Sequence, residues 1–228
     1  MCLQVLTFIK NCYILPTVGD SKVERMAKIV WKAGTMLAPV PPALISCGTM
    51  QKPNVMTAAW TGIVCSEPAM VYVSIRPERY SYDIIKKSGE FVINVPTVKL
   101  AKAVDWCGVK SGREIDKFRQ AKLTALSCTK VKAPQIAESP ISLECQVRAV
   151  YPLGSHDMFL AEVLAVHIDD TLLGADGALK LDKAGLLAYA HGFYYGLGKK
   201  IGKYGWSVEK KSTRYKRIMK KRAQEKHG

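Results

Sequence analysis

The most informative stretch of the chain, Asn54 to Tyr82, reads NVMTAAWTGIVCSEPAMVYVSIRPERYSY. Its β-branched and aromatic content predicts two strands joined by a Ser66-Glu67-Pro68 turn. The first strand opens with small, uncharged residues: Met56, Thr57, Ala58, Ala59, Trp60, Thr61 and Gly62. The second, Met70 to Ile75, runs into a basic, hydroxyl-rich loop holding Arg76, Arg79, Tyr80, Ser81 and Tyr82. Small side chains with free backbone donors allow a flat ring to approach closely. Guanidinium and hydroxyl groups suit an oxyanion, because guanidinium makes paired, charge-assisted hydrogen bonds to phosphate.

Each half has an ordinary competing explanation. Small residues on a strand usually just pack, and Trp60 alone is more often core filler than a ring platform. Arg76 and Arg79 alone fit a solvated turn, where charge adds little to stability. Adjacent strand ends lie close together, however, and a ring bed beside a compact phosphate clamp is what flavin mononucleotide requires.

Outward from this stretch, Ser81 to Lys87 reads as a short helix with Ser81 as N-cap and Gly89 as its stop. A helix start here offers free N–H groups to a phosphate. Phe91 to Val95 is a strand stopped by Pro96, and Thr97 caps a second helix to about Trp106. Cys107 to Phe118 is a glycine-containing, charged loop. Ser127 to Val131 and Ile141 to Val150 are strands, and Gly154 to Asp157 turns the chain into a partner strand, Met158 to Ile168. Upstream, Lys28 to Ala33 and Ala43 to Cys47 are strands, separated by Pro39, Pro41 and Pro42, and Gly48 to Pro53 is a turn. Many strands with few helices predict an all-β barrel or sandwich with helical insertions. From Asp182 onward, glycines alternate with Tyr189, Tyr194, Tyr195, Tyr204 and Trp206, which suits an arm lying across a surface.

At 228 residues the chain is long enough for one domain with a sizeable core. Its net charge of +15 is uneven: the last 30 residues, from Lys199, hold 12 Lys and Arg against two acidic residues. The basic character therefore belongs to a tail, in which Tyr215, Ile218 and Met219 share one face of a helix. The domain organisation expected is an N-terminal extension over 1–25, a domain with its arm over 26–211, and a basic tail over 212–228. The segment Met1 to Val18 is apolar but broken by Lys10, Asn11 and Pro16, so it suits neither a membrane span nor a signal peptide. Seven cysteines lie at least ten residues apart with no C-x-x-C pair, which argues against zinc ribbons and redox pairs and for a reducing cytoplasm.

GLGKKIG (Gly196 to Gly202) has the wrong spacing for a dinucleotide fingerprint and follows no strand of a strand–turn–helix unit. It also fails as a P-loop, since Tyr204 follows Lys203 where Ser or Thr is required. His156 either touches a cofactor from its turn or is an ordinary turn residue. His167 and His191 have no ligand partners at metal spacing. No metal is expected.

With these residues laid out, the chain resembles the flavin reductase-like, FMN-binding split-barrel family, and within it the flavoredoxin-type branch, over about Val30 to Val208. The marks are MTAAW (Met56–Trp60), VSIRPERYSY (Val73–Tyr82), FVINVP (Phe91–Pro96), DWCGVKSGREIDKF (Asp105–Phe118) and YYGLGKKIGKYGWS (Tyr194–Ser207). The resemblance implies a mainly β, Greek-key split barrel with short helical insertions and a C-terminal arm, working as a homodimer. It implies FMN lying along Asn54, Met56, Thr57, Ala58, Ala59 and Trp60, its phosphate held by Arg76, Tyr80, Ser81 and Tyr82, with His156 facing the ring. The chemistry is then the flavin's, with no covalent catalytic residue in the protein and NADH, NADPH or a protein partner as electron donor. The function expected is that of a flavin reductase-like oxidoreductase or a flavoredoxin-type electron carrier, in the cytoplasm and without membrane insertion. The alternative is a binding module whose basic tail docks on nucleic acid or another anionic surface. The tail lacks the stacking aromatics and base-reading motifs of an RNA module, which weighs against nucleic acid.

Overall fold

The computed structural model describes residues 28–210; the expected N-terminal extension and the basic tail helix lie outside them. Residues 28–35 belong to a different unit from the residues after them. Within it, Lys28 to Ala33 makes no strand and every residue is exposed. Strand propensity without a partner surface does not fix an extended chain.

From Met36 onward the architecture is a seven-stranded antiparallel sheet. Its strands are β1 (Ala43–Gly48), β2 (Pro53–Ala58), β3 (Thr61–Cys65), β4 (Met70–Ile75), β5 (Glu90–Val95), and two of a longer hairpin described below. Two short strands, β6 (Ala125–Leu126) and β7 (Gln135–Ile136), pair with each other. The long hairpin is β8 (Ile141–Pro152) with β9 (Asp157–Ile168), and the arm carries a small hairpin of β10 (Leu187–Ala190) and β11 (Phe193–Gly196). The sheet order is β2-β1-β5-β8-β9-β4-β3.

That order corrects the expected first strand from Asn54. The run breaks at Ala59–Trp60, so that β2 pairs with β1 at one edge while β3 pairs with β4 at the other. Two residues thus join the two edges of the sheet, and the Ser74 amide donates to the Trp60 carbonyl at 2.8 Å across the junction. A sheet whose opposite edges are consecutive in sequence must curl on itself. The result is the split barrel.

Burial shows why both faces are apolar. In β1, Ala43 through Cys47 are all buried. Ala43, Ile45 and Cys47 pack with Val73, Ile75, Phe91 and Phe159 on one face, where Tyr82 and Ile85 of helix α1 (Tyr80–Ser88) join them. Leu44 and Val55 pack on the other against Val104 and Cys107 of helix α2 (Ala101–Val109) and Phe118 of helix α3 (Lys117–Gln120). A strand covered on both sides reads as a continuous apolar run, which is how ALISC reads.

Three local expectations are corrected. The N-cap of α1 is Arg79, not Ser81, and it supplies no side-chain cap; Ser81 lies inside the first turn. Thr97 is the N-cap of a short 3-10 turn, Val98–Leu100, that leads into α2, not of α2 itself, and its side chain makes no capping bond. Ser127 to Val131 forms no strand beyond the two-residue β6. Instead the amides of Thr129, Lys130 and Val131 all donate to the buried carboxylate of Glu144, which replaces a ladder partner. Gly89 does end α1, at φ +71°, a backbone conformation that glycine adopts without strain.

Candidate functional site

The junction at Ala59–Trp60, the start of α1 and the loop after α2 converge on one side of the barrel. A cleft there is lined by Met56 to Trp60, Ser74, Arg76, Arg79 and His156. A second cleft shares Met56, Thr57 and Arg79 with it and continues over Tyr80, Ser81, Gly108, Lys110, Gly112 and Lys117. The two form one continuous surface, with the small residues of the Ala59–Trp60 junction beside Arg76 and His156 at one end, Lys110 and Lys117 at the other, and Arg79 shared between them. A third and roomier cleft, about 560 Å³, lies beyond Tyr80 and Gly112 between the β1–β2 turn and residues 113–116. Size alone favours the third. The convergence of three cationic side chains and the first turn of α1 favours the second.

Each expected residue has a definite place. Asn54 is buried, and its carboxamide nitrogen donates to Ser81 Oγ at 2.7 Å and approaches Cys47 Sγ at 3.6 Å. Through that bond, β2 fixes the first turn of α1. The Thr57 hydroxyl donates to the Val104 carbonyl, which ties the small-residue strand to α2. Arg76 is half exposed and pairs with Glu78 at 3.4 Å, a contact of little energetic weight by itself. Arg79 donates to the Gly108 carbonyl at 3.2 Å, and the Arg113 guanidinium lies 5.4 Å from the centre of the Tyr80 ring. His156 flanks the cleft with Nδ1 2.9 Å from Ser155 Oγ. Partial burial, with Arg76 beside it, lowers its pKa below the usual histidine value.

Three expected residues are placed elsewhere: Asn54 lines only the third cleft, Arg76 lines the first cleft and not the second, and Tyr82 lies in the core. The Tyr82 ring packs edge-on to Phe159 at 5.4 Å, and its hydroxyl donates to Asp157 Oδ2 at 2.5 Å. It lines neither cleft of the clamp.

Lys117 was missed. Its side chain is only 4% exposed, and its ammonium donates to the Cys107 carbonyl at 2.7 Å, its one hydrogen-bond acceptor among the described residues. Burial lowers its pKa, and the Arg79 charge adds to the effect. A buried cation with spare donors facing a cleft is poised for an anion. The signal lay in the loop motif Asp105–Phe118, whose lysines look like ordinary solvated charge in sequence. Gly112 in the same loop has a steric role: a β-carbon there would lie 2.0 Å from Asn54 Oδ1.

Comparison with known proteins gives this geometry its class. A family model described as flavin reductase like domain matches residues 35–198, and the chain belongs to that family. Its fold is similar to that of flavoredoxin from Desulfovibrio vulgaris (Miyazaki F), with a TM-score of 0.75 and 30% identity, covering 80% of this chain and all of that one. An uncharacterized protein of Archaeoglobus fulgidus is 40% identical over 130 residues, 57% of this chain and 73% of its own length. The NADH-dependent FMN reductase AsuE2 of Streptomyces nodosus subsp. asukaensis is 24% identical over 131 residues, 58% of this chain and 70% of its own.

Proposed function

We propose that this protein binds FMN in the continuous cleft and works as a flavin-dependent oxidoreductase or electron carrier. The observation that carries the reading is the junction of two unlike surfaces across Met56, Thr57 and Arg79. The small-residue junction takes the isoalloxazine ring. Arg79, Lys110, Lys117 and the open first turn of α1 take the phosphate, whose two negative charges match that cationic end. Gly112 lets the loop after α2 close onto Asn54 and Tyr80 beside that end. When bound, the flavin supplies hydride and electron transfer. The protein binds and orients it: Asn54 and Ser81 set the clamp, and His156 holds a neutral imidazole at the ring end.

The likeness to flavoredoxin over 80% of this chain favours a flavoredoxin-type electron carrier. AsuE2 is an NADH-dependent FMN reductase, which favours NADH as donor. The proposed assembly is a homodimer, because the arm exposes Phe193, Tyr195 and Trp206, side chains that a second copy would cover. A cytoplasmic location is proposed from the free thiols of Cys47, Cys65, Cys107, Cys128 and Cys145. Among the described residues, no helix is long and apolar enough to cross a membrane.

An absorption spectrum of the purified protein, followed by NADH and NADPH without oxygen, tests the proposal. Yellow protein bleached by NADH is a reductase; bleaching by dithionite alone leaves a carrier with a protein donor. Colourless protein that takes up no added FMN overturns the reading. Deleting residues 212–228 separates it from docking through the basic tail, since flavin content survives the deletion only if the cleft is responsible.

A further inference from the structure

At the far end of the β8–β9 hairpin from His156, three side chains meet that sequence spacing does not connect. The Sγ of Cys128, a carboxylate oxygen of Glu144 and a ring nitrogen of His167 all lie within 4.8 Å of one another. Glu144 is fully buried, and the loop after Cys128 fixes its aim. Oε1 accepts from the Thr129 amide and hydroxyl at 2.8 Å each, and Oε2 accepts from the amides of Lys130 at 2.5 Å and Val131 at 2.9 Å. Among the described residues, the one side chain besides Thr129 that reaches it within hydrogen-bond distance is the imidazole of His167, Nε2 to Oε1 at 2.5 Å. A buried carboxylate with so little opposing charge favours a cation. Glu90, whose carboxylate accepts from the Lys132 amide of the same loop, adds negative potential nearby.

We propose that Cys128, Glu144 and His167 form a binding site for a divalent transition metal of the zinc class. Thiolate, imidazole and carboxylate are the donor types that zinc takes in tetrahedral sites. The ion displaces the thiol proton of Cys128, which leaves to solvent, and takes the imidazole of His167 in its neutral form. The loop amides stay on the carboxylate as outer-shell donors, which orient a ligand and keep it basic. His167 is 30% exposed and Cys128 is partly exposed, so the ion has an entry path and water can fill a fourth position. The site stands apart from the flavin cleft, and no part of this inference depends on flavin binding.

The test is titration of the full chain, stripped with a chelator, with Co²⁺ as a spectroscopic stand-in for Zn²⁺. One equivalent of Co²⁺ is expected to produce a thiolate-to-cobalt charge-transfer band that Zn²⁺ bleaches. Cys128→Ser is expected to abolish the band, and His167→Gln to weaken Co²⁺ binding at least tenfold. Circular dichroism shows whether each variant is folded, and His167→Gln keeps the test available if Cys128→Ser is not. Absence of the band in the parent protein overturns the proposal, as does an undiminished band in a folded Cys128→Ser or His167→Gln variant.

Discussion

The Asn54 carboxamide oxygen occupies the space beside Gly112 where a β-carbon would stand, 2.0 Å away. Asn54 cannot swing aside freely, because its amide nitrogen is held by Ser81 at 2.7 Å. The strand, the helix start and the loop that make up the cationic end are therefore fitted to one another through a single glycine.

Gly112→Ala should consequently push the loop off Asn54 or break the Asn54–Ser81 bond. Overpacking of this kind costs about 1–3 kcal/mol, so FMN affinity should fall about tenfold or more, with a lower melting temperature. Fluorescence titration of FMN measures the first and a thermal melt the second. Parent-like values for both would mean that the loop is free to move, and the fitted clamp would be wrong.

Lys117→Met should separate binding from folding. The buried ammonium has one acceptor in the protein, the Cys107 carbonyl; losing that bond is offset by removing a buried charge, so the melting temperature of the flavin-free protein should change little. A charge-assisted bond to phosphate is worth about 1.5–3 kcal/mol, so FMN affinity should drop tenfold or more. The pH sign follows from the lowered pKa. Folding disfavours the protonated lysine, so the flavin-free parent gains stability as pH rises from the folded-state pKa toward the unfolded value. The Met variant should lack that alkaline gain, as urea melts across pH would show.

Much of this was legible in the chain. Turn residues and β-branched runs placed β1, β4, β5 and the long hairpin, because those strands carry their own apolar pattern. The split of the first strand at Ala59–Trp60 was not legible, since neither residue is a breaker and the change of partner is decided by sheet closure. Ser127 to Val131 failed for the opposite reason: its amides are claimed by Glu144, a residue 13 or more positions away. At the site, local motifs brought out Arg76, Tyr80 and Ser81. Lys117 and Gly112 act through burial and contact distance, which no local pattern encodes.

Tyr82 offers a contrast within the VSIRPERYSY motif. Because its hydroxyl bonds the half-buried Asp157, Tyr82→Phe should lower stability by about 1 kcal/mol, the usual net worth of one hydrogen bond. FMN affinity should be unchanged, whereas Ser81→Ala should weaken it. Equal losses of affinity in the two variants would return Tyr82 to the clamp.

The cysteines around the clamp should be silent at neutral pH. Burial pushes Cys47 up to about 11, against weaker opposing help from Asn54 and Ser81, and burial likewise pushes Cys107 up to about 11. A thiol with such a pKa is about one part in ten thousand thiolate at pH 7, and the thiolate is the reactive form. Cys65, partly exposed at the end of β3, should therefore take up iodoacetamide well before Cys47 or Cys107, with all three reacting after unfolding. Peptide mass mapping over time distinguishes them. Labelling of Cys47 as fast as Cys65 in the folded protein would show that the wall between Asn54 and Ser81 opens readily, and a preformed phosphate clamp could not survive that result.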